Sequence, residues 1–112
     1  MKVIVAGSRT ITDYQKVKNA LSAFEWEITE IVSGGANGVD KMGERWAIEN
    51  KIPLRRFPAK WDLHGKSAGP IRNREMAEYA DALVAIWDGK SKGTYNMIEE
   101  ANRNFLYVWL SE

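Results

Sequence analysis

Cysteine is absent from this 112-residue chain, and histidine occurs once, at His64. Without cysteine there are no disulfides and no thiolate-held metals, and no metal site is expected. Long apolar runs are missing as well. The first one, Val3 to Ala6, is too short for the core of a signal peptide. No window approaches the roughly 18 apolar residues of a membrane span. Charge of one sign is not in excess either. The net charge is +1, so no global field points to DNA or to a membrane surface. These absences lead us to expect a soluble, cytoplasmic protein without a membrane partner. Its composition, 45% hydrophobic and 28% charged, is that of an ordinary globular chain. Its length suits one domain over residues 1–112, able to bury about two-thirds of its unfolded surface.

The patterning alternates strands with helices. Lys2 to Ala6 is a β-branched run stopped by Gly7. Asp13 is placed to cap a helix over 13–25, with Val17, Leu21 and Phe24 on one face. Ile28, Ile31 and Val32 read as a second strand, 39–50 as a second helix, and Pro53 to Phe57 as a third strand. Residues 58–69 show no period and read as a long loop, a length that in a small domain often carries function. Pro70 suits the first turn of a helix over Ile71 to Tyr79. Ala82 to Trp87 is the most apolar strand; a helix over 94–104 and a strand over 105–110 follow. This order predicts an α/β, Rossmann-like three-layer sandwich: a mostly parallel five-stranded sheet flanked by helices.

In such sheets, ligands sit beyond the carboxyl ends of the strands. Three of those ends carry glycine with hydroxyl, polar or basic residues. They are Gly7-Ser8-Arg9-Thr10, Ser33-Gly34-Gly35-Ala36-Asn37-Gly38-Val39-Asp40 and Asp88-Gly89-Lys90-Ser91-Lys92-Gly93-Thr94. Glycine lets backbone N–H groups approach a ligand, and a helix N-terminus offers unpaired N–H groups to an anion. Each loop alone could be a plain turn; their convergence on one sheet edge predicts a phosphate cradle. Neither the dinucleotide fingerprint nor a Walker loop is present, which disfavours a routine dehydrogenase or P-loop NTPase.

Other residues keep two readings open. Trp61 and Trp87 either cover the edge of the core or stack on a base. Arg72 and Arg74 flank Asn73, so the three cannot share one helix face. His64 is either a loop residue or a base, and its nearest acid, Asp62, is near only in sequence. Asp40 and Glu44 serve as caps and solvated charges or as acids. Asp88, after a buried strand, stands out among the remaining carboxylates.

Four of these segments together resemble the SLOG superfamily and, within it, the small YspA-like branch. The segments are Gly7-Ser8-Arg9, Ser33 to Asp40, Gly69-Pro70-Ile71-Arg72-Asn73-Arg74-Glu75-Met76, and Trp87 to Thr94. The superfamily shares a Rossmann-like fold among LOG-type phosphoribohydrolases, the DNA-processing protein Smf/DprA and YspA-like proteins. The resemblance implies ligands such as nucleoside monophosphates or ADP-ribose derivatives. It also implies either hydrolysis of an N-glycosidic bond or ligand sensing, in some members within phage defence. Arg72 and Gly93-Thr94 match the Arg and the Gly-Thr of the LOG-type enzymes. The position three after Thr94, where those enzymes carry an acid, is Met97, with Glu99 and Glu100 following.

The expected function is therefore a sensor or binding module for a nucleotide-derived small molecule, with no cofactor. Its expected ligand residues are Gly7, Ser8, Arg9, Ser33, Gly34, Gly35, Ala36, Gly38, Asp40, Arg72, Asn73, Asp88, Ser91, Gly93 and Thr94. Trp61 and Trp87 are the stacking candidates. A nucleotide-processing glycosidic hydrolase using Arg72 with Asp88 or Glu99 is the first alternative, and a single-stranded DNA-binding module the second. The relatives often assemble and Trp and Tyr are abundant, so a homo-oligomer is expected.

Overall fold

The computed structural model describes residues 1–111. Lys2–Gly7 forms the first strand, β1, and Val3, Ile4 and Val5 within it are fully buried. A strand covered on both faces needs an unbroken apolar run of this kind. It is followed by α1 (Tyr14–Ser22), β2 (Glu30–Ser33), α2 (Val39–Glu49) and β3 (Leu54–Arg56). A short helix α3 (Trp61–His64) and a 3-10 turn (Gly65–Ser67) lead into α4 (Ala68–Tyr79). The chain then forms β4 (Ala82–Ile86), α5 (Lys92–Arg103) and β5 (Tyr107–Ser111). All strand pairs are parallel, in the order β3-β2-β1-β4-β5. The layout is the Rossmann-like α/β one that the sequence predicts, with a sheet that is parallel throughout.

The two-residue period of the strands divides the core between two faces. Val3 and Val5 of β1, with Val84 and Ile86 of β4, pack with Val17 and Leu21 of α1 and Val39 and Ala47 of α2. Ile4 and Ala6, with Leu83 and Ala85, pack with Met76 and Ala77 of α4 and Met97 and Ala101 of α5. Each fully buried side chain of Val or Leu size contributes about 1.5–3 kcal/mol by leaving water. The central pair β1–β4, buried on both faces, therefore anchors the molecule. No helix among the described residues is long and apolar enough to cross a membrane.

Several segments differ from the sequence reading: the first helix ends at Ser22, and the last strand begins at Tyr107, after Phe105 at a positive φ of 59°. The stretch 58–69 holds a helical turn and the start of α4 instead of irregular loop throughout. Gly65, with φ at +56°, ends α3 and turns the chain into the 3-10 segment. The helix that Pro70 was expected to open begins at Ala68, with Pro70 still in its first turn. Ile28 lies outside β2 but still packs against the core.

The strand order matters for function. β1, β2 and β3 step toward one edge of the sheet, and the chain then returns to place β4 on the other side of β1. The connections that leave β1 and β4 diverge at this switch point and open a crevice beyond the strand ends.

Candidate functional site

A cleft of about 280 Å³ fills that crevice. Ala6 and Gly7 from the end of β1 form part of its lining, together with Met76 of α4 and Met97 of α5. The first turns of three helices reach it: Asp40 of α2, Gly69 and Pro70 of α4, and Lys92, Gly93 and Thr94 of α5. Helix N-termini carry unpaired N–H groups and partial positive charge. Arg9, Arg72 and Lys92 add full positive charge to the lining, against the one carboxylate of Asp40. The exposed indole of Trp61 borders the same space.

Asp40 is the buried charge of the site, 5% exposed. Its carboxylate accepts the Ala36 N–H at 3.2 Å. Burial pushes its pKa up to about 6, and the Glu44 charge adds to the rise. The Ala36 and Gly7 N–H groups and the Arg72 guanidinium work in the opposite direction. Arg72 is fixed by its own hydrogen bonds. Nη1 donates to the Gly34 carbonyl at 2.6 Å and to the Phe57 carbonyl at 3.4 Å, and Nε donates to Asn73 Oδ1 at 3.0 Å. Burial draws the guanidinium pKa down, Asp40 opposes that, and Arg9 reinforces it. An arginine stays charged through such a shift, so the cleft keeps a fixed cation.

Asn73 links α4 to α5. Its Nδ2 donates to Asn96 Oδ1 at 2.9 Å and to the Gly93 carbonyl at 3.3 Å. Arg74, the next residue along the helix, is exposed. The helix therefore divides the Arg72-Asn73-Arg74 triplet as its periodicity requires. Ser91 caps α5, its Oγ accepting the Thr94 N–H at 3.3 Å and lying 3.1 Å from Thr94 Oγ1.

Several residues read as ligand contacts from sequence stand behind the cleft instead of lining it. Ser8 is buried and ties the two central strand ends together: its N–H donates to the Ile86 carbonyl and its Oγ accepts the Asp88 N–H. Ser33 Oγ donates to Glu44 at 2.8 Å and accepts the Gly35 N–H at 3.0 Å. Gly34 lies so close to Arg72 that a Cβ there would overlap the guanidinium. Gly38, with φ at +80°, abuts the Ser8 and Arg9 carbonyls, where a Cβ would stand 2.6 Å from each.

Three further candidates lie outside the lining. The exposed Asp88 carboxylate accepts the N–H groups of Lys90 and Ser91 at 2.8 and 3.0 Å, which holds its pKa below the usual carboxylate range. Trp87 packs on Tyr95 and donates its indole N–H to the Ser91 carbonyl. Glu99 lines no part of the cleft, whereas Met97 does. His64 is exposed and also outside it. Sequence reasoning did not name Asn96 at all, and it noted Pro70, Met76 and Met97 without placing them among the ligand residues. The helical spacing of Asn96, three residues after Gly93, is the signal that would have found it.

Comparison with known proteins places this architecture in a family. Residues 1–64, the segment with the first two glycine loops, match the profile of the YspA, cpYpsA-related SLOG family. The chain is similar to the gene 61 protein of Mycobacterium phage D29, 35% identical over 91% of this chain and 89% of that protein. No solved structure matches it. The chain, with its parallel sheet and its glycine loops at the switch point, belongs to the YspA, cpYpsA-related SLOG family.

Proposed function

We propose that the protein binds a nucleotide or nucleotide-derived anion in the cleft between the end of β1 and the N-termini of α2, α4 and α5, as a sensor or binding module. One observation carries this reading. The N-termini of α2, α4 and α5 meet Arg9, Arg72 and Lys92 in a single concavity beside an exposed indole. Backbone N–H groups and guanidinium groups suit phosphate oxygens, and an indole face suits a base. Family membership is consistent with such a role.

A thermal-shift screen against nucleotides, cyclic dinucleotides, NAD, ADP-ribose and its cyclic isomers tests the proposal. A ligand at about 100 times its dissociation constant adds about 2.7 kcal/mol of stability. The expected result is a shift with the compound recovered intact by chromatography, and loss of that shift in Arg72→Ala with the circular dichroism unchanged. No shift with any compound overturns the reading.

One observation favours a second reading, glycosidic hydrolysis. Asp40 is the carboxylate in the cleft lining, electrostatically coupled to Arg72, and its pKa of about 6 suits a group that exchanges protons near neutrality. In that mechanism Asp40 takes the acid–base role that sequence reading gave to Asp88 or Glu99. Release of a free base in the same chromatographic assay, abolished in Asp40→Asn, would establish it.

A further inference from the structure

Beside the cleft lies a second chamber of about 340 Å³. The two share Arg9, Ala36, Trp61 and Arg72 in their linings, so they adjoin. The outer chamber adds Lys41 from the first turn of α2 and Arg56 from the end of β3. Its lining thus contains four cationic side chains, Arg9, Lys41, Arg56 and Arg72, and no carboxylate. Gly34 and Gly35 form part of its wall, so a ligand there can approach the backbone closely.

Like charges gathered on one concave wall repel one another and are retained at a cost unless something offsets them. Glu44 offsets part of it from behind the wall. It is 5% exposed, bonded to Ser33, and it accepts Arg56 Nε at 3.0 Å with Lys41 Nζ at 4.0 Å. This carboxylate bonds Arg56 and faces Lys41 at the limit of ion-pair distance, without filling the donor capacity of either. Arg56 meets Glu44 through Nε, and among the described residues neither of its Nη groups has a hydrogen-bond partner. Both side chains keep more than half their surface in solvent. Arg56 is tethered through Nε and open at its Nη groups, and Lys41 keeps N–H donors of its ammonium free.

We propose that the outer chamber is a second anion subsite, and that the ligand carries two anionic groups. One group sits in the inner cleft, and the outer one is gripped by Arg56 and Lys41. Arg9 and Arg72, common to both spaces, bridge the two. This proposal rests on the nucleotide-binding reading for the inner group, and it narrows the ligand class to nucleosides bearing a diphosphate or two separate phosphates.

Calorimetric titration with a nucleoside monophosphate, its diphosphate and inorganic pyrophosphate tests it, using wild type and the double variant Lys41→Gln/Arg56→Gln. Glutamine keeps a donor for Glu44, and circular dichroism checks the fold. Wild type is expected to prefer the diphosphate by at least about tenfold, as two charge-assisted contacts allow. The double variant is expected to lose that preference while its monophosphate affinity stays unchanged. An unchanged preference in the variant overturns the second subsite. So does a wild type that binds both nucleotides equally. If no nucleotide binds the wild type, the inner reading fails, and pyrophosphate then decides the outer one. Binding to wild type that the double variant loses supports the subsite; equal binding to both, or none to either, overturns it.

Discussion

The loop after β2 and the loop after β4 are built from similar residues and fastened in opposite ways. In the first, the polar anchors Ser33, Asp40 and Glu44 are all buried, and Arg72 from α4 bonds the Gly34 carbonyl. In the second, the anchor is Asp88, exposed and bonded only to residues two and three further along the chain and to Ser8. One loop is held by buried carboxylates, and the other is closed around an exposed one and tied to Ser8 at the end of β1. Glycine and hydroxyl content alone does not distinguish them. What separates them is whether the anchoring carboxylates are buried, as Asp40 and Glu44 are, or stand in solvent, as Asp88 does.

Glycine substitution tests that contrast most severely. Gly38→Ala places a methyl group against two carbonyls at a positive φ, so it is expected to cost about 3 kcal/mol or more in denaturant unfolding. Gly93→Ala, in the second loop's helix, meets nothing within 4 Å and is expected to be neutral or stabilising by up to about 1 kcal/mol. Equal losses in the two variants would erase the distinction.

Titration sharpens it further, because the two carboxylates shift in opposite directions. Asp40 has a folded pKa of about 6, above its unfolded value. The native state therefore holds the extra proton, and Asp40's contribution to stability falls as pH rises from about 4 to 6. Relative to Asp40→Asn, wild type is expected to lose on the order of 2–3 kcal/mol across that window, measured by urea unfolding at each pH. Asp88 is shifted down, so its contribution is present above the ordinary carboxylate range and is lost as pH falls through its lowered value. A flat profile for the Asp40 pair would show that water reaches the carboxylate.

The smallest effect is expected at Asp88. Asp88→Ala removes the acceptor for Lys90 and Ser91, and is expected to lower the melting temperature slightly while leaving ligand affinity at the wild-type level. Loss of binding in this variant would put the carboxylate back among the ligand groups.

The difference between the loops also marks how far the sequence could be read. The β-α alternation, the buried β1 and β4 runs and the glycine-bearing strand ends were all legible, because each follows from local period and chain stiffness. So were Arg72 and Asn73, which the helix carries into the cleft while turning Arg74 outward. The roles of the two aspartates were not. Asp88 stood out for its place after an apolar strand, and Asp40 was weighed as a cap. Only the return of the chain from β3 to β4 decides which of them faces a ligand space. Lys41 and Arg56 were invisible for the same reason, since they meet across elements that share no local pattern. The short α3 escaped because one turn of helix gives no period to detect.

The pairing of β1 with β4 has a consequence for how the protein comes into being. The bond from Asp88 to Ser8 joins residues 80 apart in sequence, and the register places Val3 beside Ala82. A ribosome that has made the first 64 residues has supplied β1, β2 and β3, but one edge of β1 still lacks its strand. That edge is apolar and hydrogen-bond-hungry, the kind that recruits other chains. Contacts of such long range close slowly. The step that covers this edge is the same one that brings the two walls of the cleft together. Nascent chains are therefore exposed to aggregation until the two walls of the cleft have met.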